Sequence, residues 1–211
     1  LIDIAIQARR KPDKQILLSV NLKGGHYISV HMLFIYLFFL EMISNNLNVL
    51  FFSSRRSTRK LSDISRNSII GVISGKRVIK TFYNRFPWLY RIFEFKGFSE
   101  IKMDNYLKRG FLKEQAGDSL FHRCLYFLLE NRRNEREFLR KRDVITWFKK
   151  ELNNKIIDFD HIESNKQTIK DAIEKGDTFL IILENDSLKT VVELCKVTRN
   201  ILLKFFKNAK K

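Results

Sequence analysis

The sequence predicts an α/β domain in which helices cover a parallel sheet. Two short apolar runs, NVLFF at 48–52 and DTFLIILEN at 177–185, have the composition of strands buried on both faces. Helical segments adjoin both runs, and a strand–helix–strand succession with apolar strands is typical of a parallel sheet. The chain has 211 residues, 45% of them hydrophobic, so it can bury one core of ordinary size and is not predicted to be disordered.

The first part of the chain is expected to be an arm followed by a buried helix. The first 25 residues combine QARRKPDKQ with a Gly-Gly turn, which indicates an irregular basic segment. A helix is predicted from about Ser29 to Asn45, because Asn readily takes the left-handed conformation that ends helices. The most apolar part of this helix, 28–43, has 16 residues and includes Glu41, so it is too short for a membrane span and favours a helix buried in the core.

The middle of the chain is predicted to alternate helical and short apolar segments. Residues 57–73 (STRKLSDISRNSIIGVI) indicate a helix that runs into a second short apolar stretch. Residues 76–95 mix aromatic and basic side chains without clean periodicity, which indicates a loop with some strand. From 117 to 153 the pattern is helical, and its middle is polar on every face, so this segment is expected to project from the body.

The C-terminal part completes the predicted domain organisation. A helix at about 164–175 precedes the strand at 177–185, and a helix at 187–198 (SLKTVVELCKVT) follows that strand. A last apolar run, NILLKFF, leads into the basic tail KNAKK. The chain is therefore expected to have a basic arm at 1–27 and a single α/β domain at 28–211, with 104–154 inserted as a helical projection.

The charge balance indicates a polyanionic partner. Lys and Arg number 40 against 23 acidic residues, which gives a net charge of +17. Because the basic residues are spread along the whole chain, nucleic acid is favoured over an anionic membrane surface. Any one basic cluster could be a solvated face, but two of three clusters border predicted strands, which favours a surface for phosphate backbones. The clusters are Arg9, Arg10, Lys11 and Lys14; Arg55, Arg56, Arg59 and Lys60; and Lys204, Lys207, Lys210 and Lys211.

Aromatic residues lie among further basic residues between positions 80 and 91. Tyr83, Trp88 and Tyr90 are interleaved with Arg85 and other cations, a pattern that would suit stacking against exposed bases. Packing of the same rings in the core is the alternative interpretation of this pattern.

No pattern in the sequence points to catalysis, a metal or a cofactor. GVISGKR at 71–77 departs from a phosphate-binding loop, because three residues separate its glycines and Arg77 stands where Ser or Thr would hold magnesium. No GxGxxG follows either predicted strand, and the acidic DFDHIE at 158–163 is typical of a turn and helix start. The histidines and the two cysteines lack metal-binding spacing, so two reduced thiols are expected.

Five motifs, taken in order, resemble the ribosomal small-subunit protein two family. The RR and Pro-Lys opening, the turn NGIHIIDL, the strand and turn ILFVGTKKQ, the aromatic loop RWLGG and the segment PDLLIVLDPNKEKNAVREA are family features with similar stretches here. Those stretches are ARRKPDK, KGGHYISV, VLFFSSRRS, FPWLYRIF and GDTFLIILENDSLKTVVEL. FKKELNNKI also resembles the segment KLEKNLGGI, through which the family's projecting hairpin returns. The chain departs from the family pattern at Ser29, at Ser53, after Trp88, and over 71–82.

The resemblance implies a flavodoxin-like, three-layer (Rossmann-like) α/β domain with an inserted helical projection. It also implies a structural component of the small ribosomal subunit that binds ribosomal RNA and neighbouring ribosomal proteins, without enzymatic activity, cofactor, membrane or small-molecule substrate. The abundance of Phe, Ile, Asn and Lys is typical of an AT-rich genome and favours a mitochondrial ribosome in the matrix. The residues expected to bind RNA are Arg9, Arg10, Lys11, Lys14, Ser54, Arg55, Arg56, Arg59, Lys60 and Arg85.

Two functions of other classes remain open at this point. One is a small basic α/β enzyme or binding module that acts on nucleotide or nucleic-acid phosphate, with Ser53, Ser54 and Arg55 as a phosphate cradle. The other is a basic protein on an anionic membrane, with residues 28–43 as an apolar anchor.

Overall fold

The computed structural model describes residues 4–8, 16–22, 28–44, 46–55, 60–95, 120–130, 137–159 and 166–195. The strands are β1 (Ile4–Ala8), β2 (Ile16–Asn21), β3 (Ile28–Ser29), β4 (Leu47–Phe52), β5 (Ile69–Ser74), β6 (Phe138–Leu139), β7 (Ile156–Asp158), β8 (Phe179–Glu184) and β9 (Ser187–Glu193). The α-helices are α1 (Val30–Ser44), α2 (Gly75–Arg85), α3 (Leu120–Glu130), α4 (Lys141–Trp147) and α5 (Lys166–Glu174). Short 3-10 helices span Leu61–Asp63, Arg66–Ser68 and Pro87–Glu94.

The described chain is a mixed α/β fold with two main sheets. One sheet has four strands in the order β1-β2-β4-β5, and the other has three in the order β7-β8-β9. β2 and β4 are parallel neighbours with α1 between them in sequence, so these elements form a β–α–β unit. β7 and β8 are also parallel, whereas the β1–β2, β4–β5 and β8–β9 pairs are antiparallel. The predicted parallel pairing is thus confirmed for part of each sheet.

The central strands β2 and β4 of the four-stranded sheet are buried on both faces. Side chains such as Leu18 and Phe51 point to one face and pack with α1, α2, α3 and α4. Their neighbours Leu17 and Phe52 point to the opposite face and pack against β8 and β9. This double burial explains why β2 and β4 are apolar without alternation.

The second sheet has its own outer cover. Leu180 on β8 packs against Ala172 on α5, on the side away from the four-stranded sheet. The described layers are therefore a helical layer, a four-stranded sheet, a three-stranded sheet and α5.

Helix α1 is buried around nearly its whole circumference. Leu33, Phe34 and Leu37 are each fully buried, and His31 is 1% exposed. The prediction of a core helix over about Ser29 to Asn45 is confirmed. Among the residues that the structure describes, no helix has both the length and the hydropathy of a membrane span.

Several other predicted elements are confirmed. The run at 48–52 is strand β4, and the apolar stretch before Ser74 is strand β5. The helix expected at about 164–175 is α5, and the run at 177–185 contains β8.

The prediction of a helix at 187–198 is wrong over Ser187–Glu193, which is strand β9. Asn185 and Asp186 have φ angles of 49° and 59°, the left-handed pair that a tight two-residue hairpin turn requires. β9 therefore returns antiparallel to β8.

The prediction of a loop with some strand at 76–95 is also wrong, because helix α2 and a 3-10 helix occupy these residues. Ser74 caps α2 by accepting a hydrogen bond from the backbone N–H of Arg77 at 3.4 Å. Val78 and Phe82, four residues apart, bury one side of the helix. The β-branched residues Ile79 and Thr81 between them obscure this periodicity in the sequence.

Two further expectations are corrected. Residues 60–68 form short 3-10 helices rather than an α-helix, and residues 56–59 lie outside the described residues. The prediction of an irregular basic segment in the first 25 residues is wrong over Ile4–Ala8 and Ile16–Asn21, because both ranges are strands. The run ILLSV is as apolar as NVLFF, and β2 pairs along its whole length with β4.

The segment predicted as a projection, 104–154, contains the described helices α3 and α4. Cys124 and Leu128 from α3 and Val144 from α4 belong to the same buried cluster as α1. The division of the chain into an arm, a domain and an insertion stays a prediction.

Candidate nucleic-acid interface

The predicted basic turn follows β4 at the carboxyl end of the parallel β2–β4 pair. Because these two strands are parallel, the residues after Asn21 and after Phe52 meet at one edge of the sheet. The Leu22 N–H donates to the carbonyl of Phe52 at 2.7 Å, and the Ser53 hydroxyl donates to the carbonyl of Leu22 at 3.2 Å. The two strand ends are thereby tied together.

Asn21 fixes the start of the basic turn. Its side-chain Nδ2 donates to the carbonyl of Ser54 at 3.1 Å, and its Oδ1 accepts from the Ser54 N–H at 3.0 Å. Asn21 is 6% exposed, so water competes little for these two bonds. The next residue, Arg55, is exposed. The buried side-chain amide of Asn21 thus fixes the backbone of Ser54, which directly precedes the exposed Arg55.

Two of the backbone donors that a phosphate cradle would use at this turn, the N–H groups of Ser53 and Ser54, are already engaged. The Ser53 N–H donates to the carbonyl of Ser68 at 2.7 Å, while the Ser54 N–H donates to Asn21. Phosphate-binding turns act through backbone N–H groups directed at the anion. Of residues 53–55, Arg55 is therefore the group suited to meet a phosphate.

Lys60 lies on the side of the second sheet. It precedes the 3-10 helix Leu61–Asp63, and its backbone N–H donates to the carboxylate of Asp63 at 2.8 Å. Lys60 lines a cleft of about 490 Å³ with Glu184 and Lys189 of the β8–β9 hairpin. Glu184 and Lys189 form an ion pair with each other at 2.5 Å, so the cleft has mixed charge.

The described residues divide the predicted RNA-binding set between two places. Ser54, Arg55 and Lys60 belong to the loop that leads from β4 to the second sheet. Arg85 lies at the end of α2, in the helical layer across the four-stranded sheet. Arg9, Arg10, Lys11, Lys14, Arg56, Arg59 and the cluster Lys204, Lys207, Lys210 and Lys211 lie outside the described residues.

Arg85 stacks on an aromatic ring that the sequence did not identify as its partner. Its guanidinium carbon lies 4.4 Å from the ring centroid of Trp147, the last residue of α4. Trp147 packs edge-on against Phe86, with centroids 5.8 Å apart. The pair is separated by 62 positions in the sequence, so local patterns could not reveal it.

Most of the aromatic residues near Arg85 are core residues. Tyr83 meets Phe34 edge-on at 5.2 Å between centroids, and Trp88 lies 4.4 Å from the ring of His31. Burial raises the pKa of the Tyr83 hydroxyl. Tyr90, in contrast, is 51% exposed. The core-packing interpretation holds for Tyr83 and Trp88, and Tyr90 remains available for stacking.

Arg66 is a structural cation that sequence analysis missed. Its guanidinium hydrogen-bonds Asp158 on β7 and Asp186 in the β8–β9 turn, the latter at 3.0 Å. The hydrogen bond to Asp158, followed by that to Asp186, raises the pKa of Arg66 above its usual value. Because these partners are 92 and 120 positions away, no local motif signals the contact.

Thiols and carboxylates form no candidate metal site within the described ranges. No group of three or more His, Cys, Asp or Glu side chains there is arranged to hold a metal ion. Burial raises the pKa of the Cys124 thiol to about 12, which keeps it protonated and unreactive at neutral pH. Cys195 is exposed and forms no disulfide, and its thiol donates a hydrogen bond to the carboxylate of Glu193 at 3.3 Å.

Comparison with known proteins gives no family assignment. The chain matches no protein-family model, no curated protein and no solved structure. Its function is therefore argued from the sequence motifs, the charge and the placement of the basic side chains.

Proposed function

We propose that this chain is a structural protein of the small ribosomal subunit, of the ribosomal protein two type. It binds ribosomal RNA and neighbouring ribosomal proteins and has no enzymatic activity. The observation that carries this proposal is the order of the family-like motifs along the chain, from ARRKPDK through VLFFSSRRS to GDTFLIILENDSLKTVVEL. The net charge of +17 agrees with a polyanionic partner.

The placement of two motifs in the fold supports this proposal. KGGHYISV leads into α1, and VLFFSSRRS contains β4 and the turn after it. The β2–α1–β4 unit is the kind of unit from which flavodoxin-like domains are built, and it is proposed as the family-like part of the chain. The three-layer arrangement belongs to the same proposal. In this chain the face of β2 and β4 that points away from α1 packs against the second sheet, where a three-layer domain would have helices.

The geometry suggests how such a protein would hold RNA. Asn21 fixes the peptide of Ser54, so the chain enters the basic turn from a rigid position. The exposed side chains of Arg55 and Lys60 then meet phosphates, which releases counterions and makes binding dependent on salt. Phosphate contacts of this kind position a protein without reading base sequence.

A mitochondrial matrix location is part of the proposal. Phe occurs 19 times, whereas Pro occurs only twice, and Ile, Asn and Lys are also abundant. This composition is what an AT-rich coding sequence produces, and such coding sequences are typical of organellar genomes.

Cosedimentation tests the proposal directly. A tagged full chain, expressed in its own cells, is expected to travel with small ribosomal subunits through a sucrose gradient after a moderate salt wash. Dissociation of the subunits with EDTA should leave it on the small-subunit peak. Recovery of the native protein only in the unbound fractions would contradict the ribosomal proposal.

The same material separates the two alternatives. Binding of a free nucleotide that Arg55→Ala abolishes would support the enzyme or binding-module function, which the engaged amides of Ser53 and Ser54 disfavour. Recovery with anionic lipid vesicles, and not with RNA, would support the membrane function.

A further inference from the structure

The outer surface of the helical layer carries a group of cations along the line where α2 meets α4. Arg77 on α2 pairs with Glu151 at 3.4 Å, and Arg85 on α2 covers the ring of Trp147. Because these contacts are eight residues apart on α2, about 12 Å along a helix, α2 lies beside residues 147–151 for that length. We call Arg85, Trp147, Lys149 and Lys150 the α2–α4 seam.

The lysines of this seam are exposed and have no acidic partner in the described part of the chain. Lys149 and Lys150 are both exposed, and neither forms an ion pair with another described residue. Helix α2 contains four basic residues and no acidic one. Two of the four, Lys76 and Arg77, stand in the first turn, where the helix dipole disfavours positive charge. Glutamates offset both of these charges, because Lys76 pairs with Glu41 at 3.5 Å and Arg77 with Glu151.

Helix α5 shows what a solvated face looks like in the same chain. Lys170 pairs with Glu174 one turn later at 3.9 Å, and Gln167 donates to Asp171 at 2.6 Å. Charges of both signs alternate there and stabilise the helix locally. Lys149 and Lys150, by contrast, have no acidic partner among the described residues, which leaves their charge available to an anion.

We propose that the α2–α4 seam binds a single strand of RNA. Its lysines neutralise phosphates, and a base stacks on the exposed guanidinium of Arg85, whose central carbon lies 4.4 Å from the ring centroid of Trp147. The bases of an RNA duplex are stacked on one another and cannot reach this platform. An anionic membrane would be met by an apolar face beside the cations, whereas here a guanidinium covers the aromatic ring. This inference shares with the proposed function only the expectation that the partner is RNA.

Two double variants with the same net charge test the seam. Lys149→Gln with Lys150→Gln removes two seam cations, and Lys170→Gln with Lys175→Gln removes two exposed cations near α5. The probe is a fluorescein-labelled 16-nucleotide oligouridine, titrated with the full chain between 50 and 200 mM salt. We expect the seam variant to weaken binding about tenfold and to reduce the salt slope by about 1.4, which corresponds to two lost phosphate contacts on a single strand. The α5-side variant should change the affinity less than about twofold.

A third variant tests the stacking platform. Arg85→Lys keeps the charge but loses the planar group, so affinity should fall about fivefold while the salt slope stays unchanged. Unfolding midpoints of all variants, measured in parallel, exclude loss of folding as the cause.

Several outcomes would overturn the inference. Equal losses in the seam and α5-side variants would mean that total charge alone binds RNA. Equal affinity for a 16-base-pair RNA duplex would reject the single-strand preference, and stronger binding to anionic vesicles would reject RNA as the partner. Seam-dependent binding in a chain that does not cosediment with ribosomal subunits would support the seam and contradict the ribosomal proposal. A chain that cosediments with ribosomal subunits, but whose seam variant binds RNA as tightly as the wild type, would support the ribosomal proposal and contradict the seam.

Discussion

The side-chain amide of Asn21 hydrogen-bonds the backbone of Ser54 in both directions, at 3.0 Å and 3.1 Å, although 33 positions separate the two residues. One buried polar side chain therefore joins the end of β2 to the turn that presents Arg55. The basic turn is held by a residue of the neighbouring strand rather than by its own sequence. This relationship couples the stability of the sheet edge to the position of the proposed RNA-binding cations.

Replacement of Asn21 by Ala should lower the free energy of unfolding by about 2 kcal/mol, because two hydrogen bonds of about 1 kcal/mol each are lost. Urea unfolding at pH 7 measures this effect. Asn48→Ala is the matched control, since Asn48 is equally buried on β4 but its Nδ2 has no hydrogen-bond partner among the described residues. We expect Asn48→Ala to cost less than half as much. Equal losses in the two variants would mean that burial, and not the amide–peptide pairing, accounts for the effect.

Gly71 lies where two parts of the chain approach too closely for a side chain. A Cβ atom at this position would lie 2.7 Å from Cγ of Leu152 and 2.8 Å from the carbonyl oxygen of Asn153. The backbone of Asn153 pairs there with Val72 through hydrogen bonds of 2.7 Å and 2.8 Å, so it cannot withdraw without breaking them. Gly71→Ala is therefore expected to lower the free energy of unfolding by about 3 kcal/mol.

The control for Gly71 is a second glycine with positive φ and open surroundings. Gly176 has a φ of 70°, and a Cβ atom at this position would have no described atom within 4 Å. Gly176→Ala should therefore cost only the conformational term, about 1 kcal/mol. Thermal and urea unfolding of both variants measure the difference. A Gly71→Ala protein as stable as Gly176→Ala would contradict the close approach of residues 152–153 to β5.

The β8–β9 turn gives a prediction about backbone conformation. Asn185 has a φ of 49°, which Asn and Gly tolerate and β-branched residues do not. Asn185→Val should lower the free energy of unfolding by about 1 to 2 kcal/mol, whereas Asn185→Gly should leave it unchanged or slightly raised. Asp186 is left intact in both variants because it pairs with Arg66. Equal stability of the Val and Gly variants in urea unfolding would be inconsistent with the two-residue hairpin.

The elements that the sequence predicted correctly are those whose signal is local and long. Helix α1 and strands β4 and β8 are apolar through most of their length, so the composition of each segment by itself predicts that it is buried. The missed elements depend on a few residues or on distant partners. β9 follows from two turn residues, and α2 from a serine cap and a spacing of four between Val78 and Phe82.

The candidate site was predictable to a similar extent. The switch from an apolar strand to Ser54 and Arg55 is visible in the sequence and does mark the end of β4. The role of Asn21 is not visible there, because the sequence predicts an irregular arm where β2 lies. The Arg85–Trp147 pair and the links made by Arg66 join segments that lie far apart in the chain, so only the fold brings them together.

The buried thiol of Cys124 predicts a loss of stability at high pH. Burial raises its pKa from an ordinary 9.0 to about 12 in the folded chain. The folded state therefore keeps this proton while the unfolded chain releases it, and the associated stability is full below pH 9 and is lost as the pH rises towards 12. Between pH 8 and pH 10 the free energy of unfolding, measured in urea with a reducing agent, should fall by about 1 kcal/mol more in the wild type than in Cys124→Ala.

The raised pKa of Tyr83 acts in the same direction but is common to both proteins, so it cancels in the comparison. Cys195→Ala, which removes the exposed thiol, should keep the wild-type pH dependence. A Cys124→Ala protein with the same pH dependence as the wild type would show that this thiol is not buried.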